Sequence, residues 1–192
     1  RSMDGGVIWM LMNASSGWPA RGAHSSVVMP DGSIVLIGGD YSGHYLNDTW
    51  KSTDYGATWI RMNPSSGWLA RSEHSAVGMP DGSIVLTGGT DSISLFNDTW
   101  RSADKGATWT QVNASAGWDG RRGHSSVVMP DSSIILTGGY HPLTYLDDTW
   151  RSADNGTTWT QVNKSSGWMA RNEHTAVTLP DGSIVLIGGY AG

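Results

Sequence analysis

Three residue types with chemical capacity recur at a single spacing in this chain. Trp18, Trp68, Trp118 and Trp168 lie 50 residues apart, as do Arg21, Arg71, Arg121 and Arg171, and His24, His74, His124 and His174. An indole face stacks on sugar rings and other planar groups, and a guanidinium offers a fixed fork to a carboxylate or phosphate. The repeated Trp-x-x-Arg-x-x-His segment is therefore a candidate ligand surface. Repetition also argues the other way. A residue present in every copy is first a candidate for the architecture of the unit, with Arg and His tying each copy to the next by hydrogen bonds. The four Trp are the more open case. A metal ring of four His is disfavoured, because ligands on separate units would have to converge within about 2 Å of one ion.

Residues that break the repeat give a sharper signal. The only Glu, Glu73 and Glu173, occupy one position in alternate copies, where the others have Ala23 and Gly123. In a four-membered ring these copies face each other across the axis. Two carboxylates flanking a cleft can act as acid and base or nucleophile in glycoside hydrolysis. Drift, or pairing with a nearby Arg or His, is the preferred explanation. The stretches Asp40 to Tyr45, Thr90 to Leu95 and Tyr140 to Tyr145 vary between copies. Variable loops on a rigid frame are where specificity resides, so Tyr41, His44, Tyr140 and His141 are added as candidate contact residues. Asp54, Asp104 and Asp154 sit in Asp-x-Gly turns that invite calcium. One carboxylate per loop falls far short of the roughly six to eight oxygens Ca²⁺ takes, and an Asp accepting turn amides explains the pattern. No metal, cofactor or catalytic residue is assigned.

The elements that position these residues follow from the second copy. Residues 74–79 read as a short strand ending at Pro80, and Pro80-Asp81-Gly82 is hairpin-turn chemistry. The run Ser83-Ile84-Val85-Leu86-Thr87 reads as a strand buried on both faces, ended by Gly88-Gly89 where backbones approach or bend. After the variable loop, residues 97–102 form a third strand. Residues 108–113 alternate polar and apolar and form a half-exposed fourth. No helical period is present. A unit of four strands cannot bury its own apolar face, so about four units make one all-β domain spanning 1-192, with repeats near 1-50, 51-100, 101-150 and 151-192.

Composition narrows the function classes. The chain has no Cys, which excludes thiolate chemistry and disulfides, and its net charge of −5 argues against a nucleic-acid partner. No apolar run approaches a membrane span, so no membrane insertion is expected, and no signal-peptide pattern opens the chain. Few Lys with many Trp, Ser, Thr and Asn suggest an extracellular or cell-surface protein.

The succession His-Ser-x-Val, Ile-Val-Leu-x-Gly-Gly, Asn-Asp-Thr-Trp and a Trp nine residues later resembles the kelch repeat, which also recurs in the central domain of galactose-oxidase-like proteins. The resemblance implies a β-propeller of four-stranded antiparallel blades. Ser52 to Trp59 also resembles the Asp-box (BNR) pattern Ser-x-Asp-x-Gly-x-Thr-Trp of secreted propellers and sialidases. That pattern recurs at Ser102 to Trp109 and Ser152 to Trp159, and in worn form at Ser2 to Trp9. The expected function is a non-catalytic scaffold that binds a protein or glycan on the loop face. The alternatives are a sialidase- or glycosidase-like hydrolase, and a repeat-amplified or engineered propeller with no evolved ligand. Galactose-oxidase chemistry is excluded, because its copper site needs a Tyr–Cys cross-link and Cys is absent. The N-terminal strand Val7 to Met12 is expected to supply the outer strand of the last blade, closing a four-bladed monomeric ring. A homodimer completing a ring of about eight blades is the close alternative, and a fragment of a longer array is a third.

Overall fold

The computed structural model of the protein describes residues 1–191, and every described regular element is a strand. Repeat 1 comprises β1 (Ser25–Val28), β2 (Ile34–Tyr41), β3 (His44–Ser52) and β4 (Ile60–Asn63). Repeat 2 comprises β5 (Ser75–Gly78), β6 (Ile84–Thr87), β7 (Thr99–Ser102) and β8 (Thr110–Asn113). Repeat 3 comprises β9 (Ser125–Val128), β10 (Ile134–His141), β11 (Thr144–Ser152) and β12 (Thr160–Asn163). In each, the four strands pair antiparallel in sequence order, which is the sheet of a propeller blade. Repeat 4 carries the inner pair, β14 (Thr175–Thr178) with β15 (Ile184–Ile187), and the short ladder of β13 (Arg171–Asn172) with β16 (Tyr190–Ala191).

The first hairpin of each blade is set by its Pro-Asp-Gly turn. In repeat 2 the Met79 N–H donates to Ser83 O at 2.8 Å and the Gly82 N–H to Met79 O at 2.9 Å. The Asp81 carboxylate accepts from both the Ser83 amide, at 2.8 Å, and the Ser83 hydroxyl, at 2.6 Å. The Ser-x-Asp-x-Gly turn between third and fourth strands is built the same way. Asp54 accepts from the Thr58 amide at 2.8 Å and from the Thr58 hydroxyl at 2.6 Å. These bonds hold its carboxyl low, at about 2. The same turn at Asp104 and Asp154 is held by the same Ser and Thr bonds. The Asp residues expected to be turn acceptors are therefore turn acceptors.

The Gly-Gly pair ends each inner ladder for a steric reason. Gly89 has φ +98°, and a Cβ there would sit 2.8 Å from the His74 Cβ and 2.8 Å from the Ser72 carbonyl oxygen. Only glycine takes that backbone without strain and leaves that space.

The core lies between blades. Val27, Met29, Val35 and Ile37 of repeat 1 pack on Ile84, Leu86 and Trp68. Val77, Met79 and Val85 of repeat 2 pack on Ile134, and Val127 and Ile135 of repeat 3 pack on Ala176. The apolar runs read as buried on both faces are so because each blade presents one face to the blade before it and the other to the blade after. Inner strands are also stitched polar to polar, with the Ser126 amide donating to Ser75 Oγ at 3.1 Å and the Ala176 amide to Ser125 Oγ at 3.0 Å.

Residues 7–12, expected as the outer strand of the last blade, are not a strand and pair with no strand among the described residues. Backbone bonds at the inner ends run from Glu73 N to Ala23 O, from Gly123 N to Glu73 O and from Glu173 N to Gly123 O. Among the described residues no fourth link returns to Ala23.

Candidate functional site

The repeated Trp-x-x-Arg-x-x-His segment is a core device. Trp68 and Trp118 are 1 % exposed, each edge-on to the Trp of its blade's outer turn, with Trp68–Trp109 centroids at 6.1 Å and Trp118–Trp159 at 6.2 Å. Trp18 meets Trp59 in the same way at 6.0 Å. Trp168 is half-buried. Trp18, Trp68 and Trp118 are thus each packed on an edge-on Trp, and Trp168 meets only the His174 ring among the described residues.

The arginines are equally committed. Arg71 Nη1 donates to Asp98 Oδ1 at 2.6 Å and to Gly88 O at 2.9 Å, and Nη2 donates to Asp98 Oδ2 at 3.0 Å. Its guanidinium also lies 4.0 Å from the Phe96 centroid. Arg21 grips Asp48 and Arg121 grips Asp148 with the same fork, and all three guanidinium side chains are fully buried. The carboxylate also accepts the third-strand Trp N–H, as between Trp100 Nε1 and Asp98 Oδ2 at 2.7 Å. A buried bidentate pair with its remaining lone pairs satisfied locks the linker to the third strand of its blade. The forks of Arg21, Arg71 and Arg121, candidates for ligand contact, are thus each taken up by an Asp of the same blade. Arg171 is the exception, since it is half-buried and bonds Met169 O and Gly188 O without a carboxylate partner among the described residues.

The histidines line the inner ends of the blades. Burial, with the Arg71 charge second, pushes His74 down to about 3, and burial, with the Arg171 charge second, pushes His174 down to about 4. Both are held neutral. Thr87 Oγ1 lies 3.0 Å from His124 Nε2 and Thr137 Oγ1 3.1 Å from His174 Nε2. The residue at that place before His74 is Ile37, so both ring nitrogens of His74 are without a hydrogen-bond partner.

Glu73, Glu173 and the four His line one concavity of about 410 Å³ at the inner ends of the strands. Glu73 and Glu173 lie two backbone links apart, with Gly123 hydrogen-bonded between them. Glu73 Oε1 accepts from Arg122 Nη1 at 2.8 Å. Burial raises the Glu73 pKa, and the Arg122 charge works against that rise.

The variable loops build a second depression. Repeats 1 and 3 extend their second and third strands into long hairpins tipped at Ser42-Gly43 and Pro142-Leu143. Repeat 2 does not. Its chain turns early, with Asp91 Oδ1 accepting the Ile93 and Ser94 amides at 3.0 and 2.7 Å and Thr90 bridging to Leu95. A short loop between two tall hairpins leaves a cleft of about 350 Å³, lined by Tyr45 of repeat 1, residues 90 and 92–95 of repeat 2, and Arg122, Tyr140, Pro142 and Leu143 of repeat 3. Tyr140 stacks edge-on against Tyr145 at 5.5 Å, and the Arg122 guanidinium lies 5.2 Å from the Tyr140 ring. His141 is tied to Gly120 O at 2.8 Å through Nδ1. Tyr41 and His44 are exposed on the repeat 1 hairpin, outside the residues that line the cleft. Arg122, Ile93 and Leu143 were not among the residues singled out from the sequence. The available signal was that Arg122 breaks the repeat, standing where the other copies have Gly22, Ser72 and Asn172.

A family model described as the KLHDC2/KLHL20/DRC7 Kelch-repeats domain matches residues 8–189. The chain belongs to this kelch-repeat family, whose propeller blades are binding scaffolds. No curated protein matches the chain.

Proposed function

We propose that this propeller is non-catalytic and binds another protein, taking an apolar side chain of the partner into the cleft over repeat 2. The observation that carries the reading is the pair Ile93 and Leu143, 93 % and 96 % exposed, both lining that cleft. Burying an aliphatic side chain of this size is worth roughly 1.5–3 kcal/mol. A bare pair beside an aromatic and an Arg has the composition of an interface hot spot. Arg122, with Glu73 on one side and Tyr140 on the other, forms a polar rim that orients the incoming chain.

The commitments of the other residues weigh against the alternatives. A sialidase-type clamp needs free guanidinium groups, and Arg21, Arg71 and Arg121 are each saturated by a buried Asp. A lectin surface needs open indole faces, and the linker Trp residues are packed.

Display of a random peptide library on the chain tests the reading. Enrichment of peptides sharing an apolar residue, with affinity lost about tenfold or more in Leu143→Ser, is the expected result. Absence of enrichment, or hydrolysis of a fluorogenic sialoside or galactoside panel that Glu73→Gln abolishes, overturns it.

A further inference from the structure

Buried polar atoms without partners gather around the concavity at the inner ends of the strands. His74 lines it and is 6 % exposed, and neither of its ring nitrogens has a hydrogen-bond partner among the described residues. Nδ1 of His124, Nδ1 of His174 and Oε2 of Glu73 are also buried and unpartnered, and their residues line the same space. Folded interiors leave few such atoms, and each calls for an explanation.

The open atoms are of one kind. Thr87 Oγ1 donates to Ser75 O at 3.4 Å and therefore accepts from the His124 Nε2–H at 3.0 Å. Thr137 Oγ1 donates to Ser125 O at 3.5 Å and accepts from the His174 Nε2–H at 3.1 Å. Burial, the first cause in each ring, keeps both neutral. A neutral imidazole that donates through Nε2 has a bare lone pair on Nδ1. Nδ1 of His124, Nδ1 of His174 and Glu73 Oε2 are thus all acceptors. The charge of the lining agrees. Glu73 and Glu173 both border the space, the Glu173 and Asp40 charges act on Glu73, and Arg122 offsets one carboxylate. Glu73 and Glu173 also hold left-handed backbone, φ +53° and +56°, where repeat 3 has Gly123. Residues kept at such angles cluster at ligand clamps. No three His, Asp or Glu side chains converge closely enough to hold a metal ion among the described residues. The volume of about 410 Å³ far exceeds the roughly 30 Å³ share of one water.

Acceptors in a negative, roomy site call for a guest that only donates and is positively charged. A primary ammonium carries three donors and no acceptor. We propose that this concavity is a binding site for an alkylammonium group. The ammonium donates to Glu73 Oε2 and to an open Nδ1 beside it, and the alkyl stem lies along Ala23 and Gly123. A Lys side chain of a bound protein and a small free diamine share this chemistry.

Titration followed by nitrogen NMR of the His rings tests the site. The probes are Nα-acetyl-lysine N-methylamide, diaminopentane and the uncharged Nα-acetyl-norleucine N-methylamide. Saturable shifts of Nδ1 signals with the two amines, and none with the norleucine amide, are expected. Tighter binding of the lysine amide assigns the site to a partner's side chain, and tighter binding of diaminopentane assigns it to a free amine. Glu73→Gln keeps an acceptor for Arg122 and is expected to weaken binding about tenfold or more, the loss of one charge-assisted bond. Glu173→Gln, at an exposed position, is expected to weaken it severalfold without touching the Arg122 pair. Circular dichroism checks the fold of both variants. Absence of saturable shifts, equal shifts with the norleucine amide, or undiminished affinity in both folded variants overturns the site. The His rings line no part of the cleft over repeat 2, so this test and the peptide display fail independently.

Discussion

Repeats 2 and 4 share the run Ser-Ile-Val-Leu between an Asp-Gly turn and a Gly-Gly pair, yet they live in different surroundings. Val85 is fully buried and Val185 is 40 % exposed. Arg71 is locked to Asp98, whereas Arg171 meets no carboxylate among the described residues. The inner ladder forms in both, with Val77 opposite Val85 and Val177 opposite Val185. Strand identity is therefore a property of the unit, and burial is a property of its neighbours.

The largest test of that contrast is Val85→Asp against Val185→Asp. The first places a carboxylate in a dry interface and is expected to cost more than about 4 kcal/mol. The second is expected to cost less than about 1 kcal/mol in denaturant titrations. Equal losses would mean that repeat 4 is packed as tightly as repeat 2.

Arg71→Ala against Arg171→Ala comes next. Removing Arg71 leaves Asp98 buried and unpaired, for a loss of about 3–5 kcal/mol. Arg171→Ala is expected to lose under about 1 kcal/mol, the range of an exposed polar contact, by the same titration.

Acid stability separates the repeats more finely. His74 and His174 have folded-state pKa values depressed to about 3 and about 4, below the ordinary His value. Their contribution is fully present above the unfolded pKa of about 6.5 and is lost as pH falls toward the folded values, because the unfolded state binds the proton first. Melting temperature is expected to fall between pH 6.5 and 4, and less steeply in His74→Phe. The smallest effect is expected from Thr87→Val, which leaves His124 without its hydroxyl partner, as His74 already is. About 1 kcal/mol is expected by chemical denaturation. No loss would show that this hydroxyl adds nothing to the blade junction.

Much of the fold was legible because it rests on local chemistry. The Pro-Asp-Gly turns, the apolar run 84–87 and the alternating 110–113 all became strands or hairpins where the residue pattern put them. The kelch resemblance covers the same stretch that the family model matches. The site was less legible. A Trp in a linker is an exposed binding group or a core wedge depending on what folds over it, and Trp118 is covered by a Trp from 41 positions further on. Arg121 and Asp148 are separated by 27 residues, so no short motif announces their pairing. The cleft depends on a difference in hairpin height between adjacent blades, which requires all three loops in place. Arg122 alone could have been found, by asking what breaks the period.

By itself, the sequence determined the repeat, the strands of each unit, the tight turns and the all-β kelch class, because turn chemistry and side-chain alternation act over a few residues. Only the tertiary structure decided which of four near-identical Val, Arg and Trp residues are buried, where the open cleft lies, and that residues 7–12 are not a strand. Those outcomes depend on what stands beside each blade, and adjacency between units 50 residues apart is set by the rotation from one blade to the next.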